Sequence, residues 1–149
     1  MRYFLDTEYN GWGGALLSLA LVPDDAEELY LTLDWTGTLE PWVEKNVLPY
    51  LDSVPESLVS PRMSRADAAR LVAHYLAGDP DPIIVADWPE DIAQFNALLV
   101  TGPGVMAEVP GLRFEFRPLA GFSTAANSKV PHNALHDARA LRDHVLALE

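Results

Sequence analysis

Asp6 and Glu8 stand two residues apart in a run that otherwise reads as buried strand, YFLDTEYNGWGG (3–14). Side chains alternate along a strand, so Phe4, Asp6 and Glu8 share one face. Two carboxylates on one face of an interior strand repel each other and are costly to desolvate. They are tolerable at the mouth of a sheet, where water or a shared cation offsets the charge. Asp91 lies in the first turn of a helix that follows a short apolar run. An acid there complements the positive end of the helix dipole, and it also stands near the carboxyl end of the preceding strand. Asp87, at the end of that strand, is a rival for the same role. Asp137 neighbours a helical stripe of Leu141, Val145 and Leu148 and so faces the edge of the core, where a carboxylate needs something positive.

His132 precedes Asp137 by five residues. Five helical positions rotate by a net of roughly 140°, so the two do not share a helix face. Pro131 allows another placement, with His132 in the loop before the helix, leaning over a metal site without ligating. His74, His136 and His144 read as ordinary surface or core-edge residues. Clustered carboxylates are hard oxygen ligands suited to Mg²⁺ or Mn²⁺. Two such ions roughly 4 Å apart can activate water, stabilise a leaving oxygen and neutralise the transition state of phosphodiester hydrolysis. A histidine changes charge near neutral pH and can take the proton of the attacking water.

The elements that must carry these residues follow from period and punctuation. Residues 2–9, 15–22 and 28–35 read as three strands joined by short turns, an antiparallel meander. Residues 40–51 read as a helix opened by Pro41 and ended by Pro49. Residues 64–78 form a helix with Ser64 as cap, Asp67 at the capping-box position and Gly78 as stop. A buried strand spans 82–87, a helix 89–100, a last strand 113–119, a loop 120–131 and a final helix 132–148. A meander followed by helix-separated strands predicts an α/β fold with a mixed sheet flanked by helices. The whole of 1–149 is one domain by length.

The formal charge is −12 with no cysteine. Disulfides and thiolate metal sites are excluded, and a nucleic-acid coat protein with a basic face is disfavoured. No apolar run reaches the roughly 20 residues of a membrane span. The chain enters a strand directly after Met1, without a leader, so a cytoplasmic protein is expected. Basic residues are unevenly spread. Arg113, Arg117, Lys129, Arg139 and Arg142 lie beyond residue 111 with only four acids, so a polyanion is expected near the C-terminal third or through metal held by the acids. Tyr9, Trp12 and Trp88 neighbour the candidate ligands and can stack on terminal bases without choosing sequence. Lys129 is a candidate phosphate contact, and the amides around Gly11–Gly14 can approach a nucleotide closely.

The segments FLDTE (4–8), the strand followed by Asp91, and HNALHDAR (132–139) resemble the three motifs of DEDDh-type, DnaQ-like 3′–5′ exonucleases of the ribonuclease H-like superfamily. The H-x4-D spacing followed by Ala-Arg is the most specific of them. Within that group the chain is most similar to small single-domain bacterial exoribonucleases, which open with a similar R-Y-F-x-D-T-E and carry a segment like WVEKNVLP (42–49). Departures are Tyr-Asn-Gly after Glu8 and Ala86-Asp87-Trp88 ahead of Asp91. The resemblance implies Asp6, Glu8, Asp91 and Asp137 as ligands of two divalent cations and His132 as general base. It implies hydrolysis at single-stranded or overhanging 3′ ends, RNA ahead of DNA. Two other readings stand beside it: an inactive ribonuclease H-like module that only binds nucleic acid or nucleotides, and an acidic calcium-binding scaffold. The latter lacks the repeated D-x-D-x-D-G loop. The apolar content is compatible with a homodimer.

Overall fold

A computed structural model describes residues 1–149. Three strands open the chain: β1 (Arg2–Tyr9), β2 (Leu16–Pro23) and β3 (Leu29–Thr32). They are followed by α1 (Pro41–Asn46), α2 (Arg65–Leu76), β4 (Ile83–Ala86) and α3 (Pro89–Leu99). A small hairpin of β5 (Val100–Gly102) and β6 (Val105–Met106) leads to β7 (Arg113–Phe116), α4 (Thr124–Asn127) and α5 (Ala134–Ala147). The main sheet has the order β3-β2-β1-β4-β7. β1 pairs antiparallel with β2, and β2 with β3, whereas β4 runs parallel to β1 and β7 parallel to β4. The expected mixed sheet flanked by helices is therefore present. No helix is long and apolar enough to cross a membrane.

β1 and β2 lie at the centre, and β2 is buried along all eight residues, which accounts for its unbroken apolar sequence. Alternation then sorts the side chains into two layers. Tyr3, Leu5, Leu19, Leu21 and Ile84 pack with α2 and α3 through Val72, Leu76, Phe95 and Leu98. Phe4, Ala20, Val22 and Val85 face the other way and meet Leu135, Ala138, Leu141 and Val145 of α5. A third cluster joins Leu17 to Leu39, Val43, Val47 and Leu51. It seats α1 beside the end of β2 that pairs with Glu8.

Several boundaries differ from those the sequence predicts, each for a local reason. The helix expected over 40–51 stops at Asn46 and continues as a 3-10 turn over Leu48–Tyr50, because Pro49 has no N–H to extend the ladder. The third strand ends at Thr32, after which Leu33 bridges to Met63. The last strand is likewise shorter, ending at Phe116. The helix expected from residue 132 begins at Ala134, with Asn133 as its cap. The Asn133 Oδ1 accepts from the Leu135 and His136 amides at 3.2 and 3.3 Å. Its Nδ2 donates to the Tyr50 carbonyl at 2.8 Å. The β5–β6 hairpin, in a stretch between the predicted helix and last strand to which the sequence assigns no element, and α4, within the predicted loop 120–131, are additions. The hairpin turns at Gly104, whose φ of 68° suits glycine.

Candidate active site

β1 and β4 are parallel neighbours, so their carboxyl ends emerge on the same edge, where ligands of open α/β sheets are commonly bound. Asp6 and Glu8 point from β1 toward the α5 face, as alternation predicts. Thr7 points the opposite way and meets α3. The Asp91 Oδ1 accepts from the Thr7 amide at 3.1 Å and from the Thr7 hydroxyl at 2.6 Å. Pro89 starts α3 directly after the extended Trp88, which brings Asp91 to β1 within one turn. Asp137 lies in the first turn of α5. Its Oδ2 accepts from the His132 amide at 3.2 Å, whereas its Oδ1 is buried with no partner.

These residues line one cleft of about 340 Å³, together with Tyr9, Asp87, Trp88 and the segment Phe122–Ala125 that leads into α4. Asp6, Asp91 and Asp137 are 8, 3 and 4 % exposed, and Glu8 is half-buried. Glu8, His132 and Asp137 each offer a ligand atom within 4.8 Å of the others. His132 has a φ of 62°, the only non-glycine residue in the left-handed region. Such a conformation is uncommon outside glycine and is held in place by its surroundings. Trp42 of α1 supplies one of these, its ring edge-on to the imidazole with centroids 4.8 Å apart.

No lysine or arginine lines the cleft, and its carboxyl groups are correspondingly hard to ionise. Burial pushes Asp6 well above the usual carboxylate range, and the charges of Asp91, Glu8, Asp137 and Asp87 push it further. Glu8 is raised to about 8, first by burial and then by Asp137 and Asp91. Burial raises Asp91 to about 7 despite its hydrogen bonds from Thr7. Asp137 and Asp87 are raised by the same loss of water. A set of buried acids with no basic counterpart and one orphaned carboxylate oxygen is suited to hard divalent cations.

No family model and no curated protein matches the chain. Residue by residue, the fold brings together Asp6, Glu8, Asp91, Asp137 and His132, with the rival Asp87 in the same wall. Asp91 is the more buried of the two rivals and the one tied to β1. Tyr9 and Trp88 line the cleft as well, and Trp88 remains 58 % exposed. Trp12 does not line it. It sits at the tip of the β1–β2 turn and is 96 % exposed. Lys129 also lies outside the cleft, in two adjoining depressions. The Gly11–Gly14 amides, expected to approach a nucleotide, are largely committed inside the protein: those of Gly11 and Gly14 donate to the Tyr9 and Gly11 carbonyls, each at 2.9 Å. The Gly13 amide donates to Glu90 Oε1 at 2.8 Å, and Gln94 Nε2 donates to the Gly14 carbonyl at 3.0 Å. The turn is thereby strapped to α3. Gly14 is required because a Cβ there would lie 1.8 Å from the Asn10 carbonyl oxygen.

The other histidines are occupied elsewhere or exposed. His136 Nε2 bonds the Ser53 carbonyl at 2.9 Å, His144 stacks on Phe122, and His74 lies on the surface of α2. The sequence reading missed Thr7, Trp42, Asn133 and the Phe122–Ala125 wall. Thr7 had a signal, since alternation turns it toward whatever covers the face opposite Asp6. Asn133 had one too, as a residue favoured at helix caps. Trp42 and the wall depend on contacts between distant segments and had none.

Proposed function

We propose that the chain is a divalent-metal-dependent 3′–5′ exonuclease of the DEDDh type on a ribonuclease H-like fold. It acts at single-stranded or overhanging 3′ ends. The preference for RNA over DNA follows from the resemblance to small bacterial exoribonucleases. The observation that carries the reading is the meeting of four acids from three separate chain segments around one unpartnered carboxylate oxygen, with His132 beside them. The sheet order and the mixture of antiparallel and parallel strands are compatible with it.

Asp6, Glu8, Asp91 and Asp137 would hold two Mg²⁺ or Mn²⁺ ions, whose positive charge balances four carboxylates. When bound, such ions lower the pKa of a water and neutralise charge developing on the phosphoryl group. The protein's own groups do the rest. Thr7 holds Asp91 at a fixed angle through two hydrogen bonds. The Asp137 carboxylate accepts from the His132 amide and so ties the loop carrying the imidazole to the metal-facing helix. The His132 imidazole takes the proton of the attacking water as the water's oxygen bonds to phosphorus and the bond to the 3′-oxygen of the preceding nucleotide breaks. Tyr9 and Trp88 offer aromatic faces to the terminal base.

Incubation with 5′-end-labelled RNA and DNA strands in Mg²⁺, Mn²⁺ or chelator tests the reading. A ladder shortening from the 3′ end, lost with chelator, is expected. Binding without shortening in either metal would overturn the enzymatic reading in favour of a binding module. His132→Ala is expected to lower turnover by about 10²–10⁴-fold while titration of Mn²⁺ gives unchanged affinity. A collapse of manganese affinity would make His132 a ligand and not a base.

A further inference from the structure

The acidic cleft does not end at His132. That residue also lines a groove of about 460 Å³ bordered by Asn46, Tyr50, Ser53, Val130 and Lys129. Lys129 in turn lines a depression of about 350 Å³ with His136, Arg139, Arg142, Glu28 and Asp143. His132 borders both the first and second hollows and Lys129 both the second and third, so the three follow one another and mark out a path from the carboxylates toward α5.

The charge along this path changes sign. The chain carries −12 overall, and a polyanion is repelled from most of its surface. Five of the six arginines elsewhere are held by carboxylates: Arg62 by Asp52, Arg70 by Asp67, Arg113 by Asp81, and Arg2 and Arg117 by two acids each. The depression at the end of the path instead gathers three cations, Lys129, Arg139 and Arg142, against two acids. Glu28 engages Arg139 through Nε and Nη2, at 2.8 and 2.5 Å, which leaves Nη1 uncommitted. Arg142 lies 2.8 Å from Asp143 and 3.6 Å from Glu28. Lys129 is exposed and has no acidic partner. Between His132 and Lys129 the groove is lined by the uncharged Asn46, Ser53 and Tyr50. Uncharged hydrogen-bonding groups and an aromatic face suit sugars and bases, and a cationic hollow suits phosphates.

We propose that this path is an extended binding track for a polynucleotide strand. The 3′-terminal nucleotides sit over the carboxylates, the next ones pass Pro131 and Tyr50, and upstream phosphates are neutralised at Lys129, Arg139 and Arg142. The track makes the protein favour strands of several nucleotides over dinucleotides. It rests on the exonuclease reading of the cleft.

The test compares binding, by fluorescence anisotropy in Mg²⁺, of a labelled dinucleotide and a labelled strand of about 12 nucleotides to Asp6→Asn protein and to the same protein carrying Lys129→Glu and Arg142→Glu. The long-strand affinity is expected to fall by about tenfold or more, and its logarithmic salt dependence to weaken by about one to two. Dinucleotide affinity is expected to stay within about twofold. Lys129→Ala alone, at an exposed side chain without an ion-pair partner, serves where the double change unfolds the protein. It is expected to cost the long strand a few-fold. Long-strand affinity within about twofold of the parent, equal losses for both lengths, or no long-strand binding by the parent overturns the track. The enzymatic reading is judged apart from this, by whether wild-type protein shortens the long strand from its 3′ end in Mn²⁺. Hydrolysis with an unaffected long strand sinks the track alone, and loss of long-strand binding without hydrolysis sinks the enzymatic reading alone.

Discussion

Asp6→Asn is expected to reduce hydrolysis by roughly 10³-fold or more, a loss of several kcal/mol of transition-state stabilisation, while leaving a folded protein that is more stable than the parent in chelator. Asp6 is the carboxyl group with the most acidic neighbours: Asp91, Glu8, Asp137 and Asp87 all oppose its ionisation, after burial itself. Asparagine keeps the volume, removes the charge and can donate hydrogen bonds to the neighbouring carboxylates. Without metal, that relieves repulsion on a central strand. With metal, it would remove a proposed ligand from the cluster. The two effects have opposite signs for one substitution, which an ordinary core or surface residue does not produce. Thermal unfolding of both proteins in chelator and in Mg²⁺, alongside the strand assay, checks this. Full activity of the variant would sink the catalytic assignment, and a lower melting temperature in chelator would sink the electrostatic one.

Stability in chelator is expected to fall as pH rises from about 4 to about 9, and Mg²⁺ or Mn²⁺ is expected to restore it chiefly at the alkaline end. Glu8 is raised to about 8 from 4.5, and Asp91 to about 7 from 3.8. A carboxyl group whose pKa is raised by folding holds its proton more tightly in the folded than in the unfolded chain. Its contribution is complete below the unfolded value and is lost as pH climbs through the folded one. For these two groups the loss begins above about pH 4 and is complete above about pH 8. Asp6 and Asp137, raised in the same direction, add to it. A divalent cation held by the ionised cluster, as proposed, would raise the unfolding free energy by about 3 kcal/mol at a hundredfold excess over its Kd near pH 8. Near pH 5, where protons compete for the same oxygens, the gain should be far smaller. Urea unfolding across this range measures both. A flat profile in chelator, or an equal metal effect at both ends, would contradict the account.

Much of the local structure could be read directly. Alternation in FLDTE put Asp6 and Glu8 on one face, the all-apolar second strand had to be central, and Ser64 and Pro89 opened the helices that they cap or start in the fold. These depend on neighbours within a few residues, where propensity and period act. Boundaries went astray where a single residue overrode the period. Pro49 turned the end of a helix into a 3-10 turn, and Asn133 delayed α5 by two residues, leaving His132 outside it.

Residue identity and spacing by themselves determined which acids and which histidine were candidates, and that the sheet would be mixed. Tertiary structure alone decided that β4 pairs beside β1, that Thr7 bonds Asp91 across 84 positions of chain, that Trp42 meets His132, and that Trp12 stands clear of the cleft. The physical reason is that strand order and packing are settled by burying apolar surface across the whole molecule, in contacts whose energy is spread over many distant pairs. No short run of residues carries that information, although a short run suffices to say which way a side chain on a strand will point.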